Sequence, residues 1–397
     1  MQINIPSQPA PSFALFNLGF RPFFLLASLF ALVSILIWGG IYIYDWPAPH
    51  LPFSPMQWHA HEMIFGYGMA VAAGFLLTAV RNWTHFPTPT GIPLAGLTTL
   101  WLAARLAGWL SPGQVLPMLL LDLAFDLWFI VAIFSPILRA KQHDQIGIAS
   151  KIILLMLSNL CFYLGVSGVL EHGIVWGLYS GLYFLLALVF TMARRVLPFF
   201  IERGVGYPVK INNRMWIDRS SLILFILFVI ADVFWRNVPA TSALGALLFI
   251  IHIIRLSGWH TAGIWKKPLL WILYVGYSGA TFGFLLKALA PITPFPPSLA
   301  LHAFAVGGIG MITAGMMARI ALGHTGRDIQ HHSRLLSPIF MLLIAAFVGR
   351  VLLPMLAPGQ YLLWIGIAQS TWLLAFSMFV WVYIPILTKA RADGKPG

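Results

Sequence analysis

The segment WHAHEM, from Trp58, places His59, His61, Glu62 and Met63 where an apolar run of membrane-crossing length begins. Ionisable and metal-binding side chains at that depth are expensive and mark working sites. Neutral imidazole suits haem iron and copper, and a neighbouring acceptor fixes which ring nitrogen is left free. In a helix His59 and His61 point about 200° apart, so one faces a site while the other faces elsewhere, unless the helix starts after His59. His302 repeats the setting in LHAFAVGGIGMITAGM. His324, in ARIALGHTGRD, and His252, three residues before Arg255 and on the same helix face, are further candidate ligands. Plainer readings stand beside these: a hydrated helix start anchored by Trp58, a capping His302, and a glycine C-cap at Gly323. Met63, Met69, Met311, Met316 and Met317 pack more readily than they ligate.

Such residues need elements to hold them. Hydrophobic residues make up 59% of the 397 and charged residues only 9%, and apolar stretches of roughly 20 residues recur without period-two alternation. The class is all-α, a polytopic membrane helical bundle. Spans are predicted at about 21–43, 60–80, 91–110, 116–139, 151–170, 175–197, 220–238, 241–256, 268–290, 298–320, 335–354 and 360–387. That makes about 12 transmembrane helices with both termini cytoplasmic, the pair at 220–256 being joined by a short turn around Asn237 to Thr241. This topology puts 20 of the 24 basic residues on the cytoplasmic side, as short loops require. The formal charge of +13 is therefore topology and some affinity for anionic lipid, not a nucleic-acid footprint.

Four basic residues break the bias: Arg105, Arg236, Lys287 and Arg350 fall near outer helix ends. They snorkel, or they hold an anionic group such as a haem propionate. Depth also sorts the histidines. His59, His61 and His302 lie near the outer boundary, with Asp122, Asp126 and Asp232 in the same half, while His252, His260 and His324 lie toward the cytoplasm. His302 and His324 are roughly 33 Å apart along an unbroken helix, so the outer and inner trios are separate candidate sites.

Cys161 is the only cysteine, which excludes intramolecular disulfides and protein-bound iron–sulfur clusters. Hydrolytic motifs are missing as well: no GxSxG, P-loop or HExxH occurs. The first twenty residues are uncharged and contain Pro, and the apolar run after Pro22 exceeds a signal h-region, so no cleavable leader is expected. The chain reads as a single integral membrane domain over 1–397, with possible halves 1–197 and 220–397 joined by a cytoplasmic loop at 198–219. A Gly thirteen residues after both His61 and His302 is thin support for duplication.

The motifs LFNLGFRPFF (from Leu15), WHAHEMIFG (from Trp58), GFLLTAVRNWT (from Gly74), RRVLPFF (from Arg194), KPLLWILYVGY (from Lys267) and LHAFAVGGIGMITAGMMARIALGHTGR (from Leu301) together resemble the NnrS family. The resemblance implies a multi-spanning bacterial inner-membrane protein linked to nitric oxide metabolism, denitrification and nitrosative stress, containing haem and copper. The motif histidines it carries over are His59, His61, His302 and His324. Tyr274 stands where family members often have a His, which puts a ligand there in doubt. With the depth argument, the resemblance leads to haem b, no CxxCH being present for covalent attachment. His61 and His302 are the expected axial ligands, with His59 a spare ligand or copper candidate. Glu62 would deliver protons, and Arg105, Arg236, Lys287 and Arg350 would hold propionates. Three function classes stay open: an enzyme converting nitric oxide with electrons from an unknown donor, a non-catalytic sensor or buffer, and a 12-helix transporter with histidine-based coupling.

Overall fold

A computed structural model of the protein describes residues 13–48 and 50–395. The leader expectation rests mostly on residues 1–12, which lie outside the described residues. The described residues form twelve helical rods and no strand. They are α1 (Phe20–Tyr44), α2 (Pro55–Thr84), α3 (Gly91–Leu110), α4 (Leu116–Arg139), α5 (Ile146–Val166) and α6 (Gly173–Gly204). The second six are α7 (Met215–Val229, prolonged by a turn at Ile230–Phe234), α8 (Val238–Trp259), α9 (Pro268–Leu289), α10 (Pro297–His324), α11 (Leu336–Leu356) and α12 (Tyr361–Thr388). Ten of these rods are long and apolar enough to cross a membrane. Of the other two, α3 carries Thr98, Thr99 and Arg105, and α7, 15 residues before its prolongation, carries Asp218 and Arg219. The result is a helical bundle of a multi-pass membrane protein. Leu36, Leu120, Val131, Leu154, Ile223 and Trp381 stay exposed around its outside, which only a lipid environment makes inexpensive.

The rods begin and end for local reasons. Ser54 caps α2 by accepting from the Gln57 N–H, while the Gln57 side chain accepts from the Ser54 N–H. The turn between α7 and α8 is as short as its sequence demands: Arg236 takes φ 54°, and Asn237 accepts from the Ala240 N–H at 2.9 Å. The expected loop at 198–219 is shorter than predicted. Pro198 costs α6 one backbone bond but does not end it, and the helix runs on to Gly204.

Four π-helical turns interrupt the rods, at Glu62–Gly68, Ile230–Phe234, Ala303–Gly310 and Val348–Leu352. A π turn inserts one residue, and such turns concentrate at functional sites. Here the first follows His61, the third follows His302, and the others contain Asp232 and Arg350. Close helix approach accompanies them: a Cβ on Gly279 of α9 would lie 2.9 Å from the Cα of Gly307 in α10.

The first and last described stretches of the chain meet on one face. The Ala14 N–H donates to the Thr388 carbonyl at 2.7 Å. The fully buried Arg21 donates through Nη1 to the carbonyls of Leu387 at 3.0 Å and Lys389 at 2.8 Å, covering the otherwise open C-terminus of α12. LFNLGFRPFF therefore has a structural task that its arginine, counted only as a topology charge, does not reveal.

Candidate functional site

Six helices enclose an apolar cavity of about 110 Å³ at the level of the upstream π turns. Each contributes one face, visible as spacing: Ile35 and Trp38; His59, Met63 and Tyr67; Leu182 and Leu185; His302, Ala305 and Ile309; Ala346 and Arg350; Ile365, Gln369 and Trp372. The His59 ring lies parallel to Trp38, with centroids 4.7 Å apart, and its Nδ1 is buried with no hydrogen-bond partner. The His302 Nδ1 donates to the Ser298 carbonyl at 2.7 Å. That bond leaves Nε2 as the nitrogen with a lone pair, the usual preparation of a metal-binding imidazole. Arg350 presents a buried Nη1 with no partner, and its guanidinium carbon lies 5.8 Å from the Tyr361 ring centroid.

His61 belongs to a different assembly on the opposite face of α2. Its Nδ1 donates to Glu62 Oε1 at 3.1 Å, and its Nε2 meets Asn159 Oδ1 at 3.0 Å and Asp122 Oδ2 at 3.8 Å. Arg105 from α3 reaches Glu62 through Nε at 3.2 Å and binds Asp122 through Nη2. Tyr163 donates to Asp122 at 2.6 Å, and Asp126 is buried beside them. Phe162 and Phe65 close over the imidazole at 4.7 and 5.1 Å.

His61 and His302, the expected axial pair, are not brought together. Depth is shared, but both nitrogens of His61 are engaged with α2 and α5 side chains, and His59 lines the cavity with His302. Glu62 does not line that cavity, being held by Arg105 and His61.

The remaining candidates separate similarly. His252 is stacked between Phe190 and Phe284, at 4.7 and 5.4 Å, and its Nδ1 meets the Tyr277 hydroxyl at 2.7 Å. Arg255 donates to the same hydroxyl at 3.0 Å and to Asp218 at 2.8 Å. His324 sits near Phe20 at the end of α10, and its carbonyl accepts from Arg391. Lys287 donates to both oxygens of Asp232, at 2.8 and 2.7 Å, and Arg236 lines a neighbouring 340 Å³ pocket with them. Of the four outlying cations, only Arg350 lines the histidine cavity.

The donor set can be compared with what metals need. Among the described residues no three His, Cys, Asp or Glu side chains converge as they would on a bare ion. Two imidazoles are fewer than the three or four protein donors of zinc or copper sites. Two is the number that a bis-imidazole haem iron uses, and an open guanidinium nitrogen beside them suits a propionate. The donors therefore fit a haem. Drug-sized ligands occupy roughly 300–1,000 Å³, so a macrocycle fits only once the walls of this cavity of about 110 Å³ have moved apart.

Gln369 and Trp38 are cavity residues that the sequence reading passes over. Gln369 had a usable signal, being an amide in the middle of an otherwise apolar span. Trp38 had none, because one more aromatic in α1 looks like packing.

A family model described as NnrS protein matches residues 14–391 of the chain. No curated protein shows significant similarity to it.

Proposed function

Because the chain belongs to the NnrS family, whose members are nitric-oxide-related membrane proteins, we propose that it acts in nitric oxide metabolism or nitrosative stress resistance in a bacterial inner membrane. It does so by binding nitric oxide at a metal centre held by His59 and His302. The observation that carries this reading is the convergence of two imidazoles, each with an unengaged nitrogen, and one unpartnered guanidinium nitrogen in a single apolar cavity. Haem b is the group whose ligand count matches; when bound it would supply an iron able to take nitric oxide in place of one of the two imidazoles.

This chain's own residues prepare the place. Ser298 fixes the His302 tautomer and Trp38 fixes the plane of His59. Arg350 offers positive charge to an anionic edge. The apolar walls exclude water and admit a small uncharged diatomic. A copper centre is the second reading, favoured by the Met63 thioether, which lines the same cavity and accepts from Ser34 at 3.5 Å.

The test is to purify the protein in detergent from cells with adequate haem and count iron and copper per chain. Oxidised, reduced and nitric-oxide-treated visible spectra are then recorded for the wild type and for His59→Ala, His302→Ala and His61→Ala. The expected result is one haem whose Soret band shifts with nitric oxide, changed by the first two substitutions and unchanged in position by the third. Copper without haem selects the second reading. A folded protein with neither metal overturns both.

A further inference from the structure

Beneath the histidine cavity, toward the basic face, lies a second, smaller void of about 60 Å³. Phe24 of α1, Val71 and Ala72 of α2, Val189 and Ala193 of α6 and Ile312 of α10 wall it. An apolar pocket of this kind takes up xenon or similar apolar guests. Protein interiors are close-packed and hold few such voids, so one placed directly against a candidate gas-binding cavity asks for an account.

The two voids share one residue, Leu185 of α6, which lines both. Its seat depends on Gly68, the last residue of the first π turn: a Cβ there would fall 2.3 Å from Leu185 Cδ2. Beside it a hydroxyl pair completes the partition. Tyr67 lines the upper cavity, Thr313 the lower, and their oxygens are 2.7 Å apart. The partition is thus a single aliphatic side chain on a bare glycine plus one hydrogen bond. Side-chain rotamer changes are fast compared with backbone motion.

We propose that the lower cavity is a docking site for small apolar gases, nitric oxide among them, and that Leu185 is the swinging partition through which they reach the His59–His302 cavity. The route rests on the functional reading above, whereas the docking site does not. Uncharged diatomics dissolve in hydrocarbon, so a path lined by Val, Ala, Phe and Ile carries them while rejecting water and ions. The Tyr67–Thr313 pair gives the partition a polar contact and ties α2 to α10 at that level.

The experiment has two arms. In the first, crystals of the full-length protein are pressurised with xenon and the anomalous signal is mapped. A peak between Val189 and Ile312 is expected, and Ala72→Leu, or Ala193→Leu should the former fail to fold, removes it. No peak there, or a peak indifferent to both fillings, overturns the docking site. This arm needs no metal, so a protein that lacks a nitric-oxide-reactive centre leaves it fully decisive.

The second arm follows nitric oxide association by stopped flow. Leu185→Trp is expected to slow association at least about tenfold, the effect of about 1.4 kcal/mol of added barrier. Gly68→Ala, which displaces Leu185 from its seat, changes the same rate. Unchanged rates in both variants, with the xenon peak present, overturn the route.

Discussion

Replacing Arg105 with Met removes the only arginine among Glu62, Asp122 and Asp126. Arg105, Glu62 and Asp122 are each only 3% exposed at the side chain. Breaking a buried ion pair from one side costs about 3–5 kcal/mol, because the surviving charge stays dehydrated. Here two carboxylates lose the same partner, so the upper part of that range applies, a fall of about three to three and a half powers of ten in the folded ratio at about 1.4 kcal/mol per tenfold. Arg194→Met provides the scale. Its partner Asp218 keeps Arg255, and Arg194 is 44% exposed, so a loss below about 1 kcal/mol is expected. Equilibrium unfolding in mixed micelles, followed by tryptophan fluorescence, measures both. Adding Glu62→Gln to Arg105→Met recovers part of the loss, since replacing a buried charge set as a whole costs less than halving it. An Arg105→Met protein within about 1 kcal/mol of wild type, or a double variant less stable than the single, would refute the picture of a dry, mutually compensated cluster.

Other outcomes follow from separate parts of the molecule. Arg350→Gln is expected to weaken cofactor retention while leaving the unfolding midpoint of the cofactor-free protein nearly unchanged, which metal counting and denaturation read separately. Asn237→Ala removes the cap of α8 and costs about 1 kcal/mol, detectable in the same unfolding assay. Gly279→Ala presses a methyl onto the Gly307 backbone, where nothing flexible can yield, and costs about 1–3 kcal/mol. At the basic face, Arg391 holds the Asp393 carboxyl well below the usual carboxylate range. A depressed carboxyl stabilises above its unfolded pKa and loses that contribution only as pH falls through the folded one. Exchange of the Ala392 amide, which donates to the Thr325 carbonyl, should stay slow at pH 5 and quicken only in stronger acid.

Hydropathy made the bundle legible: the twelve predicted spans coincide with twelve rods, and the short Asn237 turn is real. Legibility stopped where helix faces had to be assigned neighbours. The 200° separation of His59 and His61 is a property of one helix, and it puts the two rings in different surroundings. Which of them meets His302 depends on how α2 is rotated in the bundle, and no periodicity reports that. The π turns deepen the problem, because each shifts the phase of everything after it and none leaves a composition signal beyond scattered glycines. The basic outliers show the same limit. Their depth was readable, but the fact that Arg105 faces three carboxyls and Arg350 faces two imidazoles comes from packing between helices distant in sequence. Pro198 misled for the opposite reason: a strong local breaker yields to the cost of ending a helix among lipid-facing neighbours.

The clasp between Arg21 and the end of α12 sets a timetable for biosynthesis. The carbonyl of Lys389 is made 368 residues after the guanidinium that binds it. At about 5–20 residues per second, the ribosome takes roughly 20–70 s to supply that partner. During this interval α1 is already threaded into the bilayer, with its arginine at the basic rim. The first helix can insert and pack early but gains this clasp only from the last, so a chain truncated before Lys389 should be more open to quality-control proteolysis.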